Sequence, residues 1–222
     1  MIKKHFSRKN LAKFKVNSVV KAFILAEMFL WSGLNFVMLF FSVYVATLPG
    51  GSIQHAATAT SMYFLSRVFF VLVSGRLLTG KSKEYRFAIT LAGMTMLSLC
   101  YILICLTSFI LHIYILFAVI GALIGIVTPA KNTLFSSHIN KEKESLTWSV
   151  LDAGVFLCMA ITTSLGGVLV GTYGFKALFY LASIINLFAI VPYLIYLQEW
   201  KHYVKINKVS QQVAFVRGKY FK

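Results

Sequence analysis

Six apolar stretches organise the chain, at about 22–48, 56–78, 87–107, 112–135, 146–170 and 175–198. Each reaches or exceeds the ~20 residues that cross a bilayer's hydrocarbon. They are separated by short polar or glycine-rich breaks, such as Pro49-Gly50-Gly51-Ser52. The pattern predicts an all-α integral membrane protein with six transmembrane helices over 22–198. A basic tail at 1–21 precedes them, and a second at 199–222 follows. Ile2, Phe6, Phe14 and Val19 are interspersed with the first tail's bases, so it reads equally as a surface-lying helix or a solvated tail.

Composition agrees with this class. Of 222 residues 59% are hydrophobic, and the mean hydropathy is +0.78. The net charge of +16 would suggest nucleic acid in a soluble protein, but here the bases sit in tails and loops around nearly uncharged runs. No stretch is left to fold as a nucleic-acid module. Contact with anionic lipid headgroups is the partner such bases fit. Seven bases lie in the first tail, then Arg76, Lys81, Lys83 and Arg86, then Lys131, Lys141 and Lys143, and six in the last tail. Against them stands Lys176 alone. The positive-inside rule therefore predicts both termini in the cytoplasm and a multi-pass protein of the plasma or inner membrane. Trp148 and Trp200 fall near the predicted cytoplasmic ends, and Tyr114 and Tyr173 near the outer ones, as interfacial aromatics do.

Charges inside the runs are candidates for function, because hydrocarbon penalises them by at least ~2.5 kcal/mol each. Arg67 falls near mid-depth. Glu27 and Asp152 fall only ~10 Å from the cytoplasmic end at 1.5 Å per residue, within expected reach of headgroup water. For Arg67 the readings are a buried structural pair or part of a solvated path. For Glu27 and Asp152 they are capping and charge pairing, or proton sites. The first run also carries Trp31, Ser32, Gly33, Asn35 and Ser42. Ser32, Asn35 and Ser42 recur on one helical face, suiting interhelical hydrogen bonds or a cavity lining. Gly121 and Gly125 form a small-xxx-small contact surface, Pro129 is expected to bend or loosen its helix, and the fifth run is glycine-rich.

Cys100, Cys105 and Cys158 all lie in apolar runs, as small hydrophobes do. No metal spacing, nucleotide loop or nucleophile–base motif is present. The expectation is no enzyme, no metal and no cofactor.

Gly75-Arg76-Leu77-Leu78-Thr79-Gly80-Lys81-Ser82-Lys83 resembles the signature loop after the second span of the major facilitator superfamily. Gly75, Arg76 and Lys81 are its matching positions, and Thr79 stands where the family has an acid. Thr128-Pro129-Ala130 with Ser136–Ser145 and Trp148-Ser149 resembles the fourth-to-fifth connection of a small-transporter subgroup. Gly166-Gly167, Tyr173-Gly174-Phe175 and Phe179 resemble the fifth span and its aromatic turn, without the proline of the family's antiporter motif. The resemblance covers about residues 21–198. It implies a fold built of two six-span halves, each a 3+3 inverted repeat, of which this chain supplies one. It further implies alternating-access transport of a small solute, with Arg67, Asn35, Glu27 and Asp152 as pathway or proton candidates. Substrate would bind between halves, so a homodimer or a second half-transporter is the expected partner. In a homodimer, Arg76 or Lys81 of one copy would approach Asp152 of the other. The alternatives are a non-transporting scaffold or partner subunit with a half-transporter fold, and one half of a split transporter.

Overall fold

The computed structural model describes residues 18–195. The tail assignments beyond these residues, and Trp200, lie outside them. The described residues are helical throughout, with no strand: α1 (Ser18–Thr47), α2 (Ile53–Leu77), α3 (Lys83–Leu106), α4 (Ile110–Ser136), a single 3₁₀ turn (Lys141–Lys143) and α5 (Glu144–Phe188). A helical path continues beyond α5 to Ile195.

α5 is two helices joined by a break. Gly174 adopts φ 78° and ψ 177°, a conformation that a side chain would oppose. The break falls in the gap between the fifth and sixth apolar runs. The limbs 144–173 and 175–195 are each at least ~30 Å long at 1.5 Å per residue, enough to span the hydrocarbon. The five long apolar helices therefore supply six membrane-length segments.

Side-chain chemistry sets the helix ends. Ser52 caps α2 by accepting from the His55 amide, and Ser82 caps α3 by accepting from the Tyr85 amide. Gly80 turns the α2–α3 loop at φ 74°. In that loop Thr79 donates to the Gly75 carbonyl at 2.9 Å, and Arg86 donates to the Leu78 carbonyl at 3.2 Å. The loop is thus held by local hydrogen bonds where the family has a carboxylate. Arg76 and Lys81 are exposed at this end.

The packing follows the small residues. α2 lies along α4, and α1 lies along the first limb of α5. A Cβ on Gly121 would stand 2.2 Å from the Tyr63 carbonyl oxygen, and one on Gly125 would stand 2.8 Å from that of Arg67. Only glycine lets these two backbones meet so closely. On the other seam Gly166 receives Phe36 and Phe40, and Gly154 receives Met28. Gly33 of α1 meets Ala182 and Asn186 on the second limb of α5, and Gly93 of α3 meets Val127 of α4. Exchanging α1 with α4, α2 with the first limb and α3 with the second limb maps α1–first limb onto α4–α2. It also maps α1–second limb onto α4–α3. That exchange is the contact pattern of a 3+3 inverted repeat.

The core between the helices is aromatic and aliphatic. Phe41 stacks on Phe117 with centroids 3.6 Å apart, and the Tyr44 hydroxyl donates to the Ile104 carbonyl at 2.8 Å. Asn186 donates to the Met94 carbonyl and the Ser98 hydroxyl, tying the second limb of α5 to α3. Pro129 sits inside a continuous α4.

Candidate functional site

A cleft of about 320 Å³ opens toward the end of the bundle that carries the basic α2–α3 loop and the 3₁₀ turn. Three helices wall it. Glu27 and Trp31 come from α1. Thr128, Lys131 and Asn132 come from α4. Trp148, Asp152 and Phe156 come from α5.

Among its lining residues, Lys131 and Glu27 form an ion pair. Each residue is only 5% exposed. The Trp31 indole N–H donates to the same Glu27 carboxylate at 3.1 Å, one helical turn away on α1. The i, i+4 spacing on one helix sets that bond. The pair to Lys131 links residues far apart in the chain and depends on how α1 and α4 dock. Two charges buried here are tolerated because their mutual attraction offsets the cost of leaving water.

Lys131 corrects the charge tally. It counted there with the bases of the fourth-to-fifth connection, but it belongs to the interior of α4 and is spent on Glu27. Glu27, expected within reach of headgroup water, is buried. The axial distance along α1 misled because α4 and α5 cover that face. Lys131 is the site residue the sequence reading missed. The available signal was its position less than two turns before the end of a long apolar helix, just after Pro129, rather than in a polar loop.

The other candidates fall at different places. Asp152 lines the outer part of the cleft, exposed, and forms no ion pair with another of the described residues. Arg67 does not line the cleft. Its Nη1 donates to the Tyr63 hydroxyl at 3.0 Å, and its guanidinium carbon lies 5.9 Å from the centroids of Trp31 and of Tyr63. The Lys131 ammonium is also 5.9 Å from the Trp31 ring. Trp31 therefore has two cations within 6 Å of its ring centroid, the range of an attractive cation–π contact. Arg67 and Glu27 are joined through this indole rather than directly.

Asn35 lies one turn past Trp31 on α1. Its amide N–H₂ approaches the Met159 carbonyl at 3.2 Å and the Thr162 and Thr163 hydroxyls at 3.1 Å. It stitches α1 to the first limb of α5. The polar strip on α1 divides by role: Ser32 is buried and donates to its own helix at Met28, while Ser42 is exposed. Trp148 is half-buried at the cleft mouth, edge-on to Phe135 with centroids 4.9 Å apart. His138, just beyond α4, sits with Nδ1 2.8 Å from the Leu134 carbonyl. Burial, assisted by the Lys83 charge and opposed by that carbonyl, pushes its imidazole below the ordinary histidine value. No cluster of metal-ligating side chains forms among the described residues.

Six membrane-length segments, packed in the contact pattern of a 3+3 inverted repeat, form the bundle of one half of a facilitator-type fold. A profile of the Major Facilitator Superfamily matches residues 23–218, and the chain belongs to that family. It is similar to the proton-coupled antiporter flippase LtaA of Staphylococcus saprophyticus subsp. saprophyticus, with 25% identity over 154 residues, covering 69% of this chain and 35% of the relative. It is also similar to the proton-coupled antiporter flippase LtaA of Staphylococcus epidermidis, with 30% identity over 148 residues, covering 62% of this chain and 33% of the relative. The chain spans about a third of the length of these relatives.

Proposed function

We propose that this bundle works as one half of a proton-coupled secondary transporter, in which two six-helix bundles rock about a site between them. A second copy of the chain is the partner this reading prefers, since twofold pairing closes a pathway with no new fold. The apolar exposed faces of α2 (Leu65, Val68, Phe69, Leu72) and of the first limb of α5 (Phe156, Leu157, Ile161, Leu165) offer the surface for it. In that pairing Asp152 meets Arg76 or Lys81 of the other copy. The cluster of bases at the α2–α3 loop and the 3₁₀ turn supports a cytoplasmic orientation for that end, and a cell-membrane location.

The observation that carries the reading is the buried Glu27–Lys131 pair lining an open cleft. Protonating the carboxylate cancels the pair, frees the ammonium and leaves Lys131 seeking a new partner. That is a two-state element whose balance a proton and a substrate both bias. The relatives' name supplies the companion idea of a lipid moved between leaflets. Phe156, exposed on the cleft wall, gives an acyl chain a place beside a polar head.

Proteoliposomes containing the protein and an internal pH dye, presented with a panel of small solutes and fluorescent lipids, test it. Substrate-dependent proton flux that disappears in Glu27→Gln is the expected result. A protein that assembles as a dimer yet gives the same flux as empty liposomes across the panel, with and without Glu27, is a scaffold instead.

A further inference from the structure

The charges around Trp31 do not balance. Three ionic side chains meet its indole: Glu27 through the N–H, and Lys131 and Arg67 over the ring. Glu27 is committed to Lys131. Arg67 has no carboxylate among the described residues. Its guanidinium carries five N–H donors in a planar fork, and the Tyr63 hydroxyl accepts from one of its nitrogens. The Trp31 and Tyr63 rings give it two apolar-faced neighbours but no acceptor of full charge.

Arg67 is also held in place from below. Its own backbone carbonyl packs against Gly125 of α4, so close that a Cβ there would come within 2.8 Å. The α2–α4 seam thus fixes the root of the side chain, and Tyr63 fixes its tip. It lies ten residues from Leu77, about 15 Å along α2 from the basic end. An anchored guanidinium at that depth, half-buried and without an acid, is a receptor for an anionic oxygen group.

We propose that Arg67, backed by Trp31 and Tyr63, is an anion subsite, and that the molecule handled by this bundle carries a phosphate or carboxylate that docks on its fork. The inference rests on the transporter reading only for the anion's role as cargo; the binding itself stands apart from transport. Glu27–Lys131 then serves the proton and Arg67 the anion, with the Trp31 indole between them. An anion on Arg67 draws the local charge to neutral, which lets the two functions be linked without a shared side chain.

Ligand-induced thermal shift on the purified protein in an uncharged detergent tests this. The probes are inorganic phosphate, dihexanoyl phosphatidylglycerol and, as the neutral comparison, dihexanoylglycerol. The wild type is expected to be stabilised by phosphatidylglycerol, by phosphate or by both, and not by dihexanoylglycerol. Stabilisation by the lipid alone assigns the anion to a headgroup; stabilisation by phosphate as well assigns it to the free group. Arg67→Gln should abolish the shift. Arg67→Lys, which keeps the charge but loses the fork, should weaken apparent affinity by about tenfold. Tyr63→Phe, which keeps the fork but frees its tip, should weaken binding less than Arg67→Lys does. A purely structural Arg67 would lower the starting melting temperature and leave the anion-induced shift intact in Arg67→Gln and Arg67→Lys alike. That result overturns the proposal, as does a wild type that responds to neither anion. Since no flux is measured, failure here leaves proteoliposome transport to be judged separately.

Discussion

Removing the ammonium from the buried pair is the perturbation with the clearest expected size. Lys131→Met keeps an unbranched stem of similar length within α4. It leaves the Glu27 carboxylate 5% exposed, with the Trp31 N–H still donating at 3.1 Å and the buried Tyr193 hydroxyl beside it. Breaking a buried pair from one side costs about 3–5 kcal/mol, because the surviving charge keeps its desolvation penalty. One retained hydrogen bond to a charged group offsets about 1.5–3 kcal/mol at most, and the native protein already has it. Glu27→Gln alone strands the Lys131 ammonium and should cost a similar amount. The double variant, Glu27→Gln with Lys131→Met, buries no charge and keeps an acceptor for Trp31. Its stability should return to within about 1–2 kcal/mol of the native value, since replacing a whole buried pair is often close to neutral. The cycle should therefore give a coupling energy of at least about 3 kcal/mol. The measurement is equilibrium unfolding by sodium dodecyl sulfate in mixed micelles, followed by tryptophan emission. A double-variant loss equal to the sum of the single losses, within about 0.5 kcal/mol, would show that the two side chains do not sense each other and would refute the pairing.

Gly121→Ala should destabilise by about 1–3 kcal/mol, since its Cβ would meet the Tyr63 backbone oxygen at 2.2 Å. Gly167→Ala, whose Cβ meets nothing within 4 Å, should be neutral in the same unfolding measurement. His138 supplies a pH dependence. Its folded-state proton affinity is lowered by burial, so between the lowered value and the ordinary histidine value of about 6.5 the unfolded chain binds more protons, and stability must fall as pH drops through that window. His138→Gln should flatten the melting temperature between pH 7.5 and 5.5 relative to wild type; an unchanged slope would remove His138 as the cause.

Hydropathy and loop charge are local properties, and they carried the architecture. Runs long enough for the hydrocarbon can be counted in one dimension, and so can the bases that gather at alternate breaks. Gly121 and Gly125 could be read as a close-contact surface because their four-residue spacing places both on one face of α4 whatever that face meets. Arg67, Glu27, Asp152 and Asn35 stood out because polar groups in apolar helices are costly. What each of them touches was not legible. Glu27 finds Lys131 across a separation of 104 residues, and Asn35 finds Thr162 across 127. Those meetings depend on the rotation of each helix about its axis and on the glycine seams that set how closely the helices approach. The axial position of a residue, which the sequence does supply, says nothing of that rotation. So the chain by itself determined an all-helical membrane bundle, its basic end and its intramembrane polar residues. Only the docking of α1 against α4 and α5 decided that Lys131 belongs to the interior. The same docking closed Glu27 from water and left Arg67 with two aromatic rings and no acid among the described residues.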